Sequence, residues 1–370
     1  MQDVLKNPAP LEGFLAPGKV SIIIDGQYGS TGKGLIAAYV AKQCPSFDYA
    51  ITNASANAGH TTVINDWKFT TFHLPTASVI NKNSLAVIDA GAIIDPEILF
   101  QELDEHDMWG RVVIHPNAAV ILPEHTASER AGGSSQGKIG STQKGVGAAL
   151  ADKIARRGNV AGLHPRLRPL VREITPLEIA AARGSILEVP QGFSLGVNSG
   201  GFYPYCTSRD VTPMQAMSDA GLHPKYLHKT LMCIRTFPIR VGNIYDNDDK
   251  LIGWSGPCHD DQIELDWDEV GVSPELTTVT KRPRRIFTWS MEQFERSRMY
   301  IEPDVIFLNF CNYLDVTQVM EMASDIDRAG FKGEVLFGYG PDIRDVRQRE
   351  DVVNDKLEEL IRAGAIDDVS

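Results

Sequence analysis

Val20-Ser21-Ile22-Ile23-Ile24-Asp25-Gly26-Gln27-Tyr28-Gly29-Ser30-Thr31-Gly32-Lys33-Gly34 runs from a short β-branched segment into a glycine-rich turn that carries one lysine. Val20 to Ile24 reads as a strand buried on both faces, closed by the Asp25-Gly26 turn signal. Leu35 to Gln43, LIAAYVAKQ, then reads as a helix. A strand, a glycine turn and a helix N-terminus together present backbone N–H groups to an anion, and the helix dipole adds about half a charge. Lys33 supplies a full one. An ordinary phosphate loop has GxxxxGK followed by Ser or Thr. Here the glycine spacing is one residue too long and Gly34 follows the lysine, which disfavours a standard P-loop NTPase. On this stretch alone, a turn that serves only packing stays open.

Further strands are expected at Ser84 to Ile88, Val112 to His115, Ser185 to Val189 and Val305 to Leu308, with helices at Thr175 to Ala182, Pro213 to Ala220 and Asp351 to Ala363. This alternation predicts an α/β fold with a mainly parallel central sheet flanked by helices, and ligands outside the carboxyl ends of the strands. There is no internal repeat or long linker, and Glu124 to Gly147, rich in Gly, Ser, Gln and Lys, reads as a mobile loop. One catalytic domain over 19–370 is expected, preceded by an N-terminal extension over 1–18.

The 370 residues carry a formal net charge of −12, which argues against nonspecific nucleic-acid or membrane partners, so an anionic ligand must meet local positive charge. The 5 cysteines are scattered, with no CxxC pair, and the start MQDVLKNPAP lacks the basic and apolar parts of a signal peptide. A soluble protein of a reducing cytoplasm is expected. Cys258-His259-Asp260-Asp261 is too tightly spaced for one tetrahedral metal site and reads as a surface turn.

More chemistry-bearing segments follow the glycine loop: Asn57-Ala58-Gly59-His60-Thr61; Gly140-Ser141-Thr142-Gln143-Lys144-Gly145; Arg156-Arg157; Pro190-Gln191-Gly192; Tyr203-Pro204-Tyr205-Cys206-Thr207-Ser208; Arg240-Val241-Gly242; Thr280-Lys281-Arg282-Pro283-Arg284-Arg285; and Gly340-Pro341-Asp342. Singly, His60 is more often a satisfied core histidine and an arginine pair a solvated face. In this order and spacing, from about Val20 to about Asp342, they resemble the adenylosuccinate synthetase family.

The resemblance implies an α/β fold distantly related to P-loop NTPases, usually dimeric, that uses magnesium to couple a nucleoside triphosphate, a purine 6-oxo nucleotide and L-aspartate. The 6-oxo oxygen is first phosphorylated, and the aspartate amine then displaces phosphate. Carried over by matched position, Lys33, His60 and Ser30 stand at the catalytic positions, with His60 as the acid that donates to the developing charge. Gly32, Lys33, Gly34, Gly59, His60, Thr61, Asn309, Phe310, Asn312, Gly340 and Pro341 fall on the triphosphate side. Ser30, Asn57, Thr142, Gln191, Leu195, Thr207 and Val241 fall on the acceptor nucleotide. Arg156 matches a residue that reaches the acceptor phosphate of the neighbouring subunit. The Gly59 carbonyl and the position of Ser30 belong with Mg2+. Val279, Thr280, Arg282 and Arg284 form the aspartate loop, whose two guanidinium groups each suit a carboxylate.

Two departures redirect the substrate. The family has an aspartate where this chain has Ser30, so the base for the purine N1 proton is missing and there is room beside N1. A 2-amino group next to N1 distinguishes guanine from hypoxanthine. After Val305 to Leu308 the chain reads Asn309-Phe310-Cys311-Asn312, without the lysine and aspartate of members that use GTP. Asn312 offers the donor and acceptor that adenine needs, and Phe310 an apolar face. Together these resemble the bacteriophage branch of the family, which implies dGMP as acceptor and ATP or dATP as donor. The competing readings are an ordinary family member acting on IMP and a nucleotide-binding switch without ligase chemistry.

Overall fold

A computed structural model describes residues 11–131, 134–246, 248, 250–277 and 282–362. The β-branched run forms Val20–Asp25 (β1), buried at every position, and the glycine turn leads into helix Lys33–Gln43 (α1). The other strands of the same sheet are Tyr49–Thr52 (β2), Leu85–Ile88 (β3), Val112–Ile114 (β4), Ser185–Glu188 (β5), Leu227–Arg235 (β6), Val305–Asn309 (β7), Glu334–Gly338 (β8) and Val346–Gln348 (β9). They form a nine-stranded sheet in the order β9-β8-β7-β6-β1-β5-β2-β3-β4. Every neighbouring pair is parallel except β8 and β9.

Both faces of β1 are covered, as an unbroken apolar run requires. Ile22 and Ile24 pack with Leu187, Met232, Leu308 and Phe294 on one side, while Ile23 packs with Ile36, Val40, Leu231 and Phe307 on the other. Leu11 and Phe14 are buried in that second cluster, so the described part of the expected extension contributes to the core. Among the described residues, no helix is long and apolar enough to cross a membrane.

Two sequence expectations change. The segment expected as a mobile loop holds helices Pro123–Arg130 and Ser135–Lys138 and the start of Val146–Ile154. Glu129 organises it, accepting from Gly145 N at 2.7 Å and Ala148 N at 3.2 Å at the N-terminus of the third helix, where a carboxylate is favoured. The Cys258 to Asp261 turn is not wholly at the surface. His259 is buried beside Phe202, with ring centroids 4.9 Å apart in an edge-on arrangement.

Candidate active site

The site begins at Asp25, the last residue of β1, which is fully buried. Its Oδ1 accepts from Gln27 N at 2.8 Å and Gly29 N at 3.2 Å, and its Oδ2 from Thr31 Oγ1 at 2.5 Å and Lys33 Nζ at 3.1 Å. One carboxylate thus ties the glycine loop to itself and aims its lysine. Lys33 Nζ also donates to the Gln191 carbonyl at 2.7 Å. An ammonium has three protons, so one is left for the cavity.

Two glycines in this loop answer to geometry. Gly32 caps α1 at φ 92°, and a Cβ there would lie 2.1 Å from Asn309 Nδ2. A Cβ on Gly34 would lie 2.7 Å from the Thr61 carbonyl, so only glycine lets α1 approach the hairpin of His60–Ile64 and Trp67–Thr71. Two residues before Gly32 the loop presents Ser30 at φ 57°, a conformation L-residues rarely adopt, with its side chain exposed toward the cavity. The loop, the segment that follows β5 and the end of β7 line a cavity of about 610 Å³.

His60 opens the hairpin and lines this cavity. Burial first, and the Lys33 charge second, push its pKa down to about 3, so it is a neutral imidazole at physiological pH. Its Nε2 has no hydrogen-bond partner among the described residues, and its Nδ1 lies 4.0 Å from Glu188 Oε2. A neutral imidazole can donate one N–H to an oxyanion without first losing a charge.

Arg282 and Arg284 also line this cavity. Their backbone is anchored on the preceding segment: Thr277 N donates to the Arg282 carbonyl at 2.8 Å and Arg284 N to the Glu275 carbonyl at 2.9 Å. With Lys33 and Lys68 they bring four cations to the cavity, while Glu275 is the single carboxylate among its described lining residues. A chain of net charge −12 therefore carries a locally cationic pocket.

A model of the adenylosuccinate synthetase family matches residues 22–162. The N6-succino-2-amino-2′-deoxyadenylate synthase of Salmonella phage PMBT28 is 41% identical over 360 residues, covering 89% of this chain and 97% of that one. The adenylosuccinate synthetase of Pyrococcus sp. strain ST700 is 33% identical, covering 73% and 77%. The chain belongs to the adenylosuccinate synthetase family. Among solved structures of this family, the cyanophage S-2L succinoaminodeoxyadenylate synthetase, bound to dGMP and to dATP as an energy donor, matches with TM-score 0.80 and 34% identity, covering 92% of this chain and 99% of that one.

In this member of the adenylosuccinate synthetase family the main cavity gathers Ser30, Gly32, Lys33, Gly34, Asn57, Gly59, His60, Thr61, Thr142, Gln191, Leu195, Val241, Arg282, Arg284, Asn309, Phe310, Asn312, Gly340 and Pro341. Asn57 and Gln191 are joined, Gln191 Nε2 donating to Asn57 Oδ1 at 2.9 Å. Asn309 is a brace: its Nδ2 donates to the Thr31 carbonyl at 3.1 Å and its Oδ1 accepts from Phe310 N at 2.8 Å. Thr207 lines a second cavity of about 520 Å³, which shares Asn57, Ser141 and Thr142 with the first. Arg156 is exposed beyond helix Val146–Ile154 and lines neither cavity. Val279 and Thr280 lie outside the described residues. Reading the sequence missed Asp25, Arg235, Glu275 and Tyr313. For Asp25 a signal existed, because a carboxylate ending a wholly apolar strand is buried and must find a partner.

Proposed function

We propose that the protein joins L-aspartate to dGMP at the expense of ATP or dATP, giving N6-succino-2-amino-2′-deoxyadenylate, a nucleoside diphosphate and phosphate. The observation that carries this reading is the tip of the glycine loop: Ser30, a small uncharged residue, faces a cationic cavity where a carboxylate would crowd a 2-amino purine. Relatives similar along nearly their whole length carry names for that reaction.

The chemistry follows from what the cavity offers. An oxo group leaves carbon poorly and a phosphate leaves well, so O6 of dGMP attacks the γ-phosphorus of the donor, the bond to the β-phosphate oxygen breaks, and the N1 proton is lost. Phosphoryl transfer depends mainly on position and charge neutralisation. Lys33 supplies the positive charge and the loop its backbone N–H groups. His60, neutral, lining the cavity and with Nε2 unpartnered among the described residues, donates to the oxygen on which charge develops. Arg282 and Arg284 each take one carboxylate of aspartate and present its amine to C6, phosphate departs, and the amine sheds its proton.

Among the described residues, no group of three or more His, Cys, Asp or Glu is placed to hold a metal. Ser30 and Gly59 line the cavity, and a serine hydroxyl and a backbone carbonyl are hard neutral oxygens. That donor set fits Mg2+, which usually binds through substrate phosphates with few protein ligands. When bound, the ion neutralises phosphate charge. Asn312 and Phe310 take the adenine of the donor, and exposed Arg156 completes the acceptor site of a second subunit in a homodimer.

The test is phosphate release with aspartate and Mg2+, crossing dGMP, GMP and IMP against ATP and GTP. Turnover with dGMP and ATP, dependent on aspartate, is expected. Equal or greater turnover with IMP would overturn the acceptor assignment, and phosphate release indifferent to aspartate would make the protein a nucleotide switch.

A further inference from the structure

Arg235 ends β6 and is fully buried, although it touches three parts of the site. Its Nη1 donates to the Ser30 carbonyl at 3.0 Å and to Glu275 Oε2 at 3.3 Å, while Nη2 donates to Glu275 Oε1. The guanidinium carbon sits 3.7 Å from the centre of the Phe310 ring. Tyr313 donates its hydroxyl to Glu275 Oε1 at 3.3 Å. Glu275 in turn carries the loop of the two arginines, through the bond from Arg284 N to its carbonyl. A lone carboxylate in a pocket for three anionic ligands would repel them all; bound to Arg235 it is neutralised and its direction fixed.

We propose that Arg235 and Glu275 are positioning residues that couple binding of the donor's base to binding of aspartate, an inference that rests on the functional reading above. A base stacked on the cavity side of Phe310 fixes that ring, and the ring fixes the guanidinium beneath it. The guanidinium fixes Glu275 and so the root of the Arg282 and Arg284 loop. The coupling is reciprocal. The Ser30 carbonyl shares the same guanidinium, so the glycine loop settles with the other two.

The experiment measures aspartate affinity by calorimetry on the intact protein with dGMP and Mg2+. One arm contains saturating adenosine β,γ-imidotriphosphate, the other saturating inorganic tripolyphosphate, which brings the phosphates without the base. Aspartate is expected to bind about 5-fold or more tightly in the adenosine arm, the low end of usual coupling. That ratio should collapse toward one in Glu275→Gln and in Arg235→Lys, which keeps the charge but loses the planar fork. Tyr313→Phe, which leaves the Arg235 and Glu275 ion pair intact, should lower it partly. A merely structural role would lower melting temperature and weaken aspartate in both arms alike, leaving the ratio as in the wild type. A wild-type ratio of one, or an unchanged ratio in all three variants, would overturn the coupling while leaving the ligase reading standing. No aspartate binding in either arm of the wild type would overturn the ligase reading itself.

Discussion

His60 shows how burial selects a protonation state. Folded, it takes up a proton only near pH 3; unfolded, near 6.5. Between those values the unfolded chain binds more protons, so stability rises with pH in this window and is lost as pH falls. The wild type should therefore lose up to about 1.4 kcal/mol per pH unit more than His60→Gln between pH 6 and pH 4, measured by denaturant titration. Parallel curves would mean that His60 is solvated. Asp25 acts through fixed bonds to the glycine loop. In the sequence it reads as a turn signal, because the residue preceding a glycine turn has many uses, and only the fold brings Lys33 back to it. The Arg235 and Glu275 pair, 40 positions apart, was equally hidden: no local pattern distinguishes a buried arginine from the many that are solvated.

At the scale of elements, the glycine loop and α1 depend on close approach. Gly32→Ala would force a Cβ against the Asn309 amide at a positive φ, displacing the brace to Thr31 and the loop with it. Its kcat/KM for ATP should fall at least about 100-fold, comparable to losing one transition-state donor, while the melting temperature falls only modestly. Near-normal ATP kinetics would show that the loop is not the phosphate cradle. Elements were legible where periodicity was clean: β1, β3, β5, β7 and α1 stand within one or two residues of expectation. β6 was not, because half-buried His228 and Lys229 and buried Thr230 interrupt its apolar pattern near the start of the strand. Yet it lies beside β1 at the sheet's centre and delivers Arg235 to the site. The helices inside 124–147 were hidden by glycine and serine, whose cost is offset by Glu129, which reaches from helix Pro123–Arg130 to the N-terminus of Val146–Ile154.

For the whole molecule, the carboxyl ends of the parallel strands converge on one cationic cavity, and nearly all the described candidate residues fall there because strand ends are where such sheets bind ligands. Arg156 stands apart, which a residue acting in a neighbouring subunit would do. Arg156→Ala and Lys33→Met should each be nearly inactive, yet recover toward about a quarter of wild-type activity when mixed and allowed to exchange subunits, as one intact site forms in each hybrid of a two-fold dimer. No recovery would confine Arg156 to its own subunit.

In the proposed reaction the first step moves O6 of the purine onto phosphate, and the second expels it. Incubation of the protein with dGMP labelled with 18O at O6, ATP, Mg2+ and L-aspartate, followed by mass spectrometry of the released phosphate and the nucleotide, tests both together. One 18O in each phosphate, with an unlabelled succinylated 2-aminodeoxyadenylate as partner product, is the expected result. Unlabelled phosphate beside unchanged dGMP would contradict it, showing triphosphate hydrolysis without ligation.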